Sequence, residues 1–223
     1  MNDIDLNKVR WTPIGTSSTP YIGTFDGQNH TISGLYVYNS RSDYQGFVGY
    51  LGKAGTIQNL TLGEGCSVTG SSGVGGVCGY NGGAITGCTN NGAVEGYSYL
   101  GGICGYNYGT VRNCTNSGTV AGMVSGVGGI CGYNSNIITN CHNSGTVKGT
   151  IASASNVGGV CGSGNTGCTI SYCWNSGTIS NKGDTVGGVC GYSSPNQTIQ
   201  SCYSTGIVTG GSKVGGICGY KSN

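Results

Sequence analysis

Charge is what this sequence has least of. Asp, Glu, Lys and Arg make up 7% of the 223 residues, against roughly 25% in an average soluble protein. The formal net charge is +2 and no basic run occurs, so neither a nucleic acid nor direct membrane insertion is expected among the partners. No window holds 18 consecutive apolar residues, and no transmembrane helix is expected. Met1-Asn2-Asp3-Ile4-Asp5 is too polar for a signal peptide. A piece of a longer exported protein would begin this way, and so would a cytosolic one.

The residues of common active sites are also scarce. His30 and His142 are the two imidazoles, and no C-x-x-C occurs, so no zinc site is expected. Polysaccharide cleavage needs paired carboxylates about 5–10 Å apart. The seven carboxylates are Asp3, Asp5, Asp26, Asp43, Glu64, Glu95 and Asp184. Asp3 and Asp5 fall near the N-terminus, Asp26 falls in a turn signal, and Asp184 is alone in its repeat. Glu64 aligns with Asn90 rather than with Glu95. No Ser-His-Asp arrangement, H-E-x-x-H or phosphate-cradling loop is present. No catalytic residue, cofactor or metal is expected, and the chain is read as a non-enzyme.

What the chain has in excess is glycine, 48 residues, and the glycines recur in phase. V-G-G-I-C-G-Y at Val127–Tyr133 returns as Val74–Tyr80, Leu100–Tyr106, Val157–Ser163, Val186–Tyr192 and Val214–Tyr220, with starts 26 to 30 residues apart. A period in that range signals a solenoid, propeller or repeat array. Val, Ile, Cys and Tyr keep register with the glycines, which a disordered Gly-rich linker does not do.

Each repeat holds three short apolar stretches separated by Gly, Asn and Ser. They are too short for helices and rich in β-branched residues, so they read as strands. The expected fold is all-β: a parallel β-helix (β-solenoid) of about 6–7 coils of 26–30 residues with three strands each. Residues 1–43 form an N-terminal capping segment carrying the bulky Trp11, Phe25 and Leu35. Residues 44–223 form the repeats, the last coil incomplete. An incomplete coil offers unpaired backbone groups, so end-to-end self-association is expected there.

G-G-[VI]-C-G-Y-N followed by [IV]-x-[NG]-C-x-N-x-G-x-[VI] resembles the GLUG motif of bacterial surface proteins. The stretch W-T-P-I-G-T … G-T-F-D-G-Q-N-H-T-I-S-G-L, beginning at Trp11 and ending at Leu35, looks like the segment that commonly precedes those repeats. The resemblance implies an exported, extracellular or cell-surface β-helical module of adhesin-like type, and no particular ligand.

Several columns run through the repeats. Cys78, Cys104, Cys131, Cys161, Cys190 and Cys218 form one; Cys88, Cys114, Cys141, Cys173 and Cys202 form a second. Disulfides within each coil are one reading. Packed free thiols are the other, favoured because coil one has Val48 and Leu60 at the two positions and free Cys behaves as a small hydrophobe. Asn90, Asn116, Asn143 and Asn175, ending at Ser204, read as a structural amide ladder. Tyr50, Tyr80, Tyr106, Tyr133, Tyr192 and Tyr220 form an aromatic column broken by Ser163. One variable column, Thr89, Thr115, His142, Trp174 and Tyr203, is expected to face solvent. His142, Trp174 and Tyr203 are the candidate ligand-binding residues, a flat platform for a sugar face. The function expected is a non-catalytic stalk or adhesive segment whose partner is a host or bacterial surface protein or glycan. The alternatives are a carbohydrate-binding module built on the aromatic column and, behind it, a polysaccharide-active enzyme.

Overall fold

A computed structural model describes residues 2–223. Every strand pairing in it is parallel, the strands stack into a tube of four walls, and no helix occurs among the described residues. Taken in chain order from Val48, the first wall holds seven strands, Val48–Leu51, Cys78–Asn81 and their equivalents up to Cys218–Lys221. The second holds seven, from Thr24–Asp26 to Thr198–Gln200, and the third eight, from Ile4–Asp5 to Tyr203–Ser204. The fourth wall carries nine-residue strands such as Ser67–Gly75, Ala93–Gly101 and Val120–Gly128. From Val147 onward that long strand is split in two by a loop, as in Val147–Gly149 and Ser155–Gly158.

The solenoid therefore has about eight turns, with four walls where three strands per coil were expected. The extra wall arises because strands two and three, such as Ala84–Thr86 and Thr89–Asn90, are separated by only a two-residue corner. The residue at that corner is left-handed in every repeat: Asn59, Gly87, Asn113, Asn140, Tyr172 and Ser201 have φ between 51° and 63°. A second left-handed column precedes the repeated Val, at Tyr44, Gly73, Tyr99, Gly126, Asn156, Thr185 and Lys213. Gly and Asn accept this conformation cheaply, and other residues do not.

Most motif glycines are needed for another reason. The fourth wall runs directly against the first, backbone to backbone. A Cβ on Gly105 would stand 2.5 Å from the Val74 nitrogen, and one on Gly132 2.5 Å from the Leu100 nitrogen. No side chain fits between the walls at those points.

The register sets like on like. Cys78, Cys104, Cys131, Cys161, Cys190 and Cys218 pair in sequence along the first wall, beginning from Val48. All thirteen cysteines are free, and all but Cys202 and Cys218 are buried. Stacked neighbours sit at the strand spacing of about 4.8 Å, wider than the mean Cβ···Cβ distance of about 3.8 Å in a disulfide. The two cysteine columns within a coil lie on opposite sides of the second wall's strand. Each thiol of the two columns instead donates to a nearby carbonyl, as Cys104 Sγ does to Tyr106 O at 3.0 Å and Cys114 Sγ to Arg112 O at 3.1 Å. Burial pushes the Cys104, Cys131 and Cys161 thiols up, keeping them protonated.

Polar ladders run inside the tube. Asn90, Asn116, Asn143 and Asn175 pass Nδ2–H to the next Oδ1 at 2.9, 2.8 and 2.7 Å, and Asn175 reaches Ser204 Oγ at 3.2 Å. Each also closes its own turn, as where Asn116 Nδ2 donates to Gly118 O at 3.1 Å. A second ladder, Asn81 to Asn107 to Asn134, has 2.8 Å links. It stops at Gly164, where the Gln197 side chain occupies the space of the missing amide.

Residues 1–43 supply strands to the second, third and fourth walls, and bridges at Ile14–Val48 and Tyr21–Leu51 lay the segment across the first. Trp11 stacks on Phe47 at 5.3 Å, Phe25 meets Phe47 edge-on at 5.0 Å, and Trp11 Nε1 donates to Phe47 O at 3.0 Å. These rings cover that end of the core. At the other end Val214 and Ile217 are exposed and Ile207 is 67% exposed.

Two tests follow from this architecture. Denatured, unreduced protein should titrate thirteen thiols, and native protein only Cys202 and Cys218; ten missing thiols in the denatured sample would establish disulfides. Tyr172 is 60% exposed and holds a left-handed corner that Asn fills in other coils. Tyr172→Asn should raise unfolding free energy by about 0.5–1 kcal/mol in urea titration; an unchanged or lower midpoint would deny the strain.

Candidate functional site

The variable column occupies the third wall, where strands of two residues leave one side chain out and one in. Asn143 and Asn175 are buried, while His142 and Trp174 are partly exposed and Tyr203 is exposed. The register brings the three outward residues together, His142 beside Trp174 and Trp174 beside Tyr203. They meet as a stack. The His142 and Trp174 rings lie 4.6 Å apart at 15°, and Trp174 and Tyr203 6.2 Å apart at 12°. A sugar-binding platform needs rings side by side with their faces outward. Here the rings use their faces on one another, because the parallel register makes equivalent side chains eclipse. His142 Nε2 also pairs with Ser176 Oγ at 2.9 Å, and burial holds its imidazole below the usual histidine value.

A larger aromatic group lies on the first wall and was only partly legible in sequence. Tyr50 and Tyr80 stack at 4.0 Å and 10°, and Tyr108 continues the stack from Tyr80 at 5.1 Å. Tyr106 and Tyr133 carry the column on, and Tyr192 and Tyr220 stack at 5.7 Å beyond Ser163. Side chains from the left-handed column overlie this ladder. Tyr44 stands 5.6, 5.7 and 6.0 Å from Tyr50, Tyr80 and Tyr106 at 89°, 81° and 63°. Tyr99 stands 5.7 Å from Tyr133 at 81°, and Lys213 places its ammonium 4.8 Å from the Tyr220 ring centre. Two edge-to-edge rings could not approach so closely, so Tyr44 lies broadside, one face on the edges of the ladder.

The carboxylates are scattered and engaged in turns. Asp3 accepts from Thr31 N at 2.9 Å and meets His30 at 3.3 Å; the Thr31 backbone bond and His30 hold it below the usual range. Asp26 accepts from Gln28 N, Gln58 Nε2 and Asn59 Nδ2, and is lowered by those bonds. Asp43 accepts from Ser72 N at 3.0 Å. The register places Leu62, not Glu64, beside Asn90 because the chain lengthens by a turn after Leu62, and Glu95 pairs with Thr69. Among the described residues no group of three or more His, Cys, Asp or Glu side chains is placed to hold a metal ion.

Comparison with known proteins fits this geometry. The GLUG motif matches residues 96–121 and 124–148. Halomucin from Haloquadratum walsbyi is 44% identical over 75 residues, 34% of this chain and 1% of its own length. A "Putative Gly-rich membrane protein" from Evansella cellulosilytica is 32% identical over 93 residues, 38% of this chain and 11% of that protein. The chain thus spans a small part of both curated relatives. Among solved structures, a "putative immunoglobulin A1 protease" from Bacteroides ovatus superposes with a TM-score of 0.66 and 26% identity, over 91% of this chain and 66% of that one. The two matched segments are successive coils of one solenoid, and the same ladders run through the coils on either side of them. The chain carries the GLUG motif in those two coils.

Proposed function

We propose that the chain is a non-catalytic β-solenoid module of an exported surface protein, a stalk segment whose outer columns carry adhesive contacts. The observation that carries this reading is where its polar side chains are spent. The amides of the Asn81 and Asn90 ladders bond mainly to the next coil, along the axis. Such bonds hold a rod at constant cross-section and leave no convergent set of acids, bases or nucleophiles. The names of Halomucin and the Gly-rich membrane protein favour a cell-surface setting. The stacked rings of His142, Trp174 and Tyr203 do not favour the sugar platform on the third wall.

Mild protease treatment of intact source cells, followed by immunoblotting for this chain, tests the location. Loss of the signal without lysis is expected; retention until lysis would refute a surface role. The purified chain should leave immunoglobulin A1, casein and polyuronides uncleaved with or without calcium. Turnover of any of them that tracks the folded chain would make it an enzyme.

A further inference from the structure

The tyrosines of the first wall form a built surface, and the cost of building it is visible in the backbone. Tyr44 and Tyr99 have φ of 55° and 54°, in a column where the intervening coils use Gly73 and Gly126. A left-handed residue other than Gly costs roughly 1–2 kcal/mol, and strain of this kind gathers at working sites. The alternation has a steric reason. A Cβ on Gly73 would stand 2.6 Å from the Tyr106 ring, and one on Gly126 2.5 Å from the Tyr99 ring. Glycine in one coil clears space for a tyrosine of a neighbouring coil, the ladder ring of Tyr106 at Gly73 and the overlying ring of Tyr99 at Gly126.

Laid this way, Tyr44 covers the edges of Tyr50 and Tyr80 with one face and turns the other away from the ladder. Tyr99 meets Tyr133 at 81° and lies tilted at 39°, 5.0 Å from Tyr106. Tyr108, 44% exposed, adds a third ring that stacks on Tyr80 and lies 6.1 Å from Tyr133. The broadside placement of Tyr44 has no counterpart on the third wall, where every ring stacks on its neighbour.

The rings themselves are uncharged, and one carboxylate, Asp43, borders them. Burial raises the Tyr44 and Tyr133 phenols and takes Tyr106 to about 12, so all stay protonated in any ordinary medium. Asp43, which accepts from Ser72 N, is the carboxylate that acts on Tyr44 and Tyr106. The cation on this column, Lys213, belongs to Tyr220 near the opposite end. Phenol hydroxyls with faces beside them suit a ligand that offers C–H faces and neutral hydroxyls together. A saccharide ring offers both, and the absence of a cation within the ring set disfavours an acidic one.

We propose that the tyrosine surface formed by Tyr44, Tyr99 and Tyr108 over the first-wall ladder is a docking site for a neutral polysaccharide lying along the solenoid axis. The inference is independent of the stalk role: a stalk that binds no sugar would satisfy that role and fail this one.

The test uses the full chain in affinity electrophoresis through gels containing mannan, unsubstituted β-glucan, hyaluronan or polygalacturonate. Retardation by at least one neutral polymer is expected, and by neither acidic one. The double variant Tyr44→Gly/Tyr99→Gly substitutes the residue the repeat itself uses at Gly73 and Gly126. It should keep its melting temperature and weaken binding at least tenfold. Tyr108→Ser, at an exposed ring, should weaken it about threefold and serves if the double variant does not fold. The proposal is overturned if the wild-type chain binds neither neutral polymer, if it prefers the acidic ones, or if folded variants bind as the wild type does.

Discussion

Parallel in-register stacking decides what each position may be, because the nearest neighbour of any residue is its own equivalent one coil away. A side chain that repels itself at about 4.8 Å cannot fill a column. Lys, Arg, Asp and Glu repel themselves, which accounts for their 7% share of the chain. Asn, Tyr, Cys, Val and Ile each gain from a copy of themselves, the first by donating and accepting at once, the others by packing. Asn116 both receives from Asn90 and gives to Asn143, so the amides of that ladder are satisfied by the rule that repeats them.

The cross-section then follows from what holds the corners. Left-handed residues turn the chain at two places in each coil, and glycines let the fourth wall lie on the first. These two demands are separate: the first is met mostly by Gly and Asn, and the second needs Gly. In the motif V-G-G-I-C-G-Y the glycines look like corners, yet Gly105 and Gly132 are there because another backbone occupies the place of a side chain.

The period, the parallel solenoid and the Asn90 column could be read from the residues, since a column is a repeat seen end-on. The division into four walls could not. Strands of two residues such as Thr89–Asn90 are too short to show alternation, and the corner between walls two and three is marked only by one residue's φ. Asn113 and Gly87 hint at that angle; Tyr172 conceals it. The Asn81 ladder could have been found, because C-G-Y-N stands in three successive coils. The orientation of the rings was beyond reach. Both aromatic columns look alike as letters, and only the left-handed positions of Tyr44 and Tyr99 distinguish a surface laid flat from a stack standing on edge.

The two junctions that join the coils of Cys78, Cys104 and Cys131 are made of the same bonds: two amide links, a tyrosine contact and a shared backbone register. Deleting or duplicating one of these coils therefore keeps both amide ladders in register, although it shifts the alternation of Gly and Tyr in the left-handed column. Misaligned recombination between the near-identical repeats would yield folded rods shorter or longer by one step of about 4.8 Å. A lineage carrying this chain can thus adjust its reach in single increments, without redesigning a core and without passing through an unfolded intermediate form.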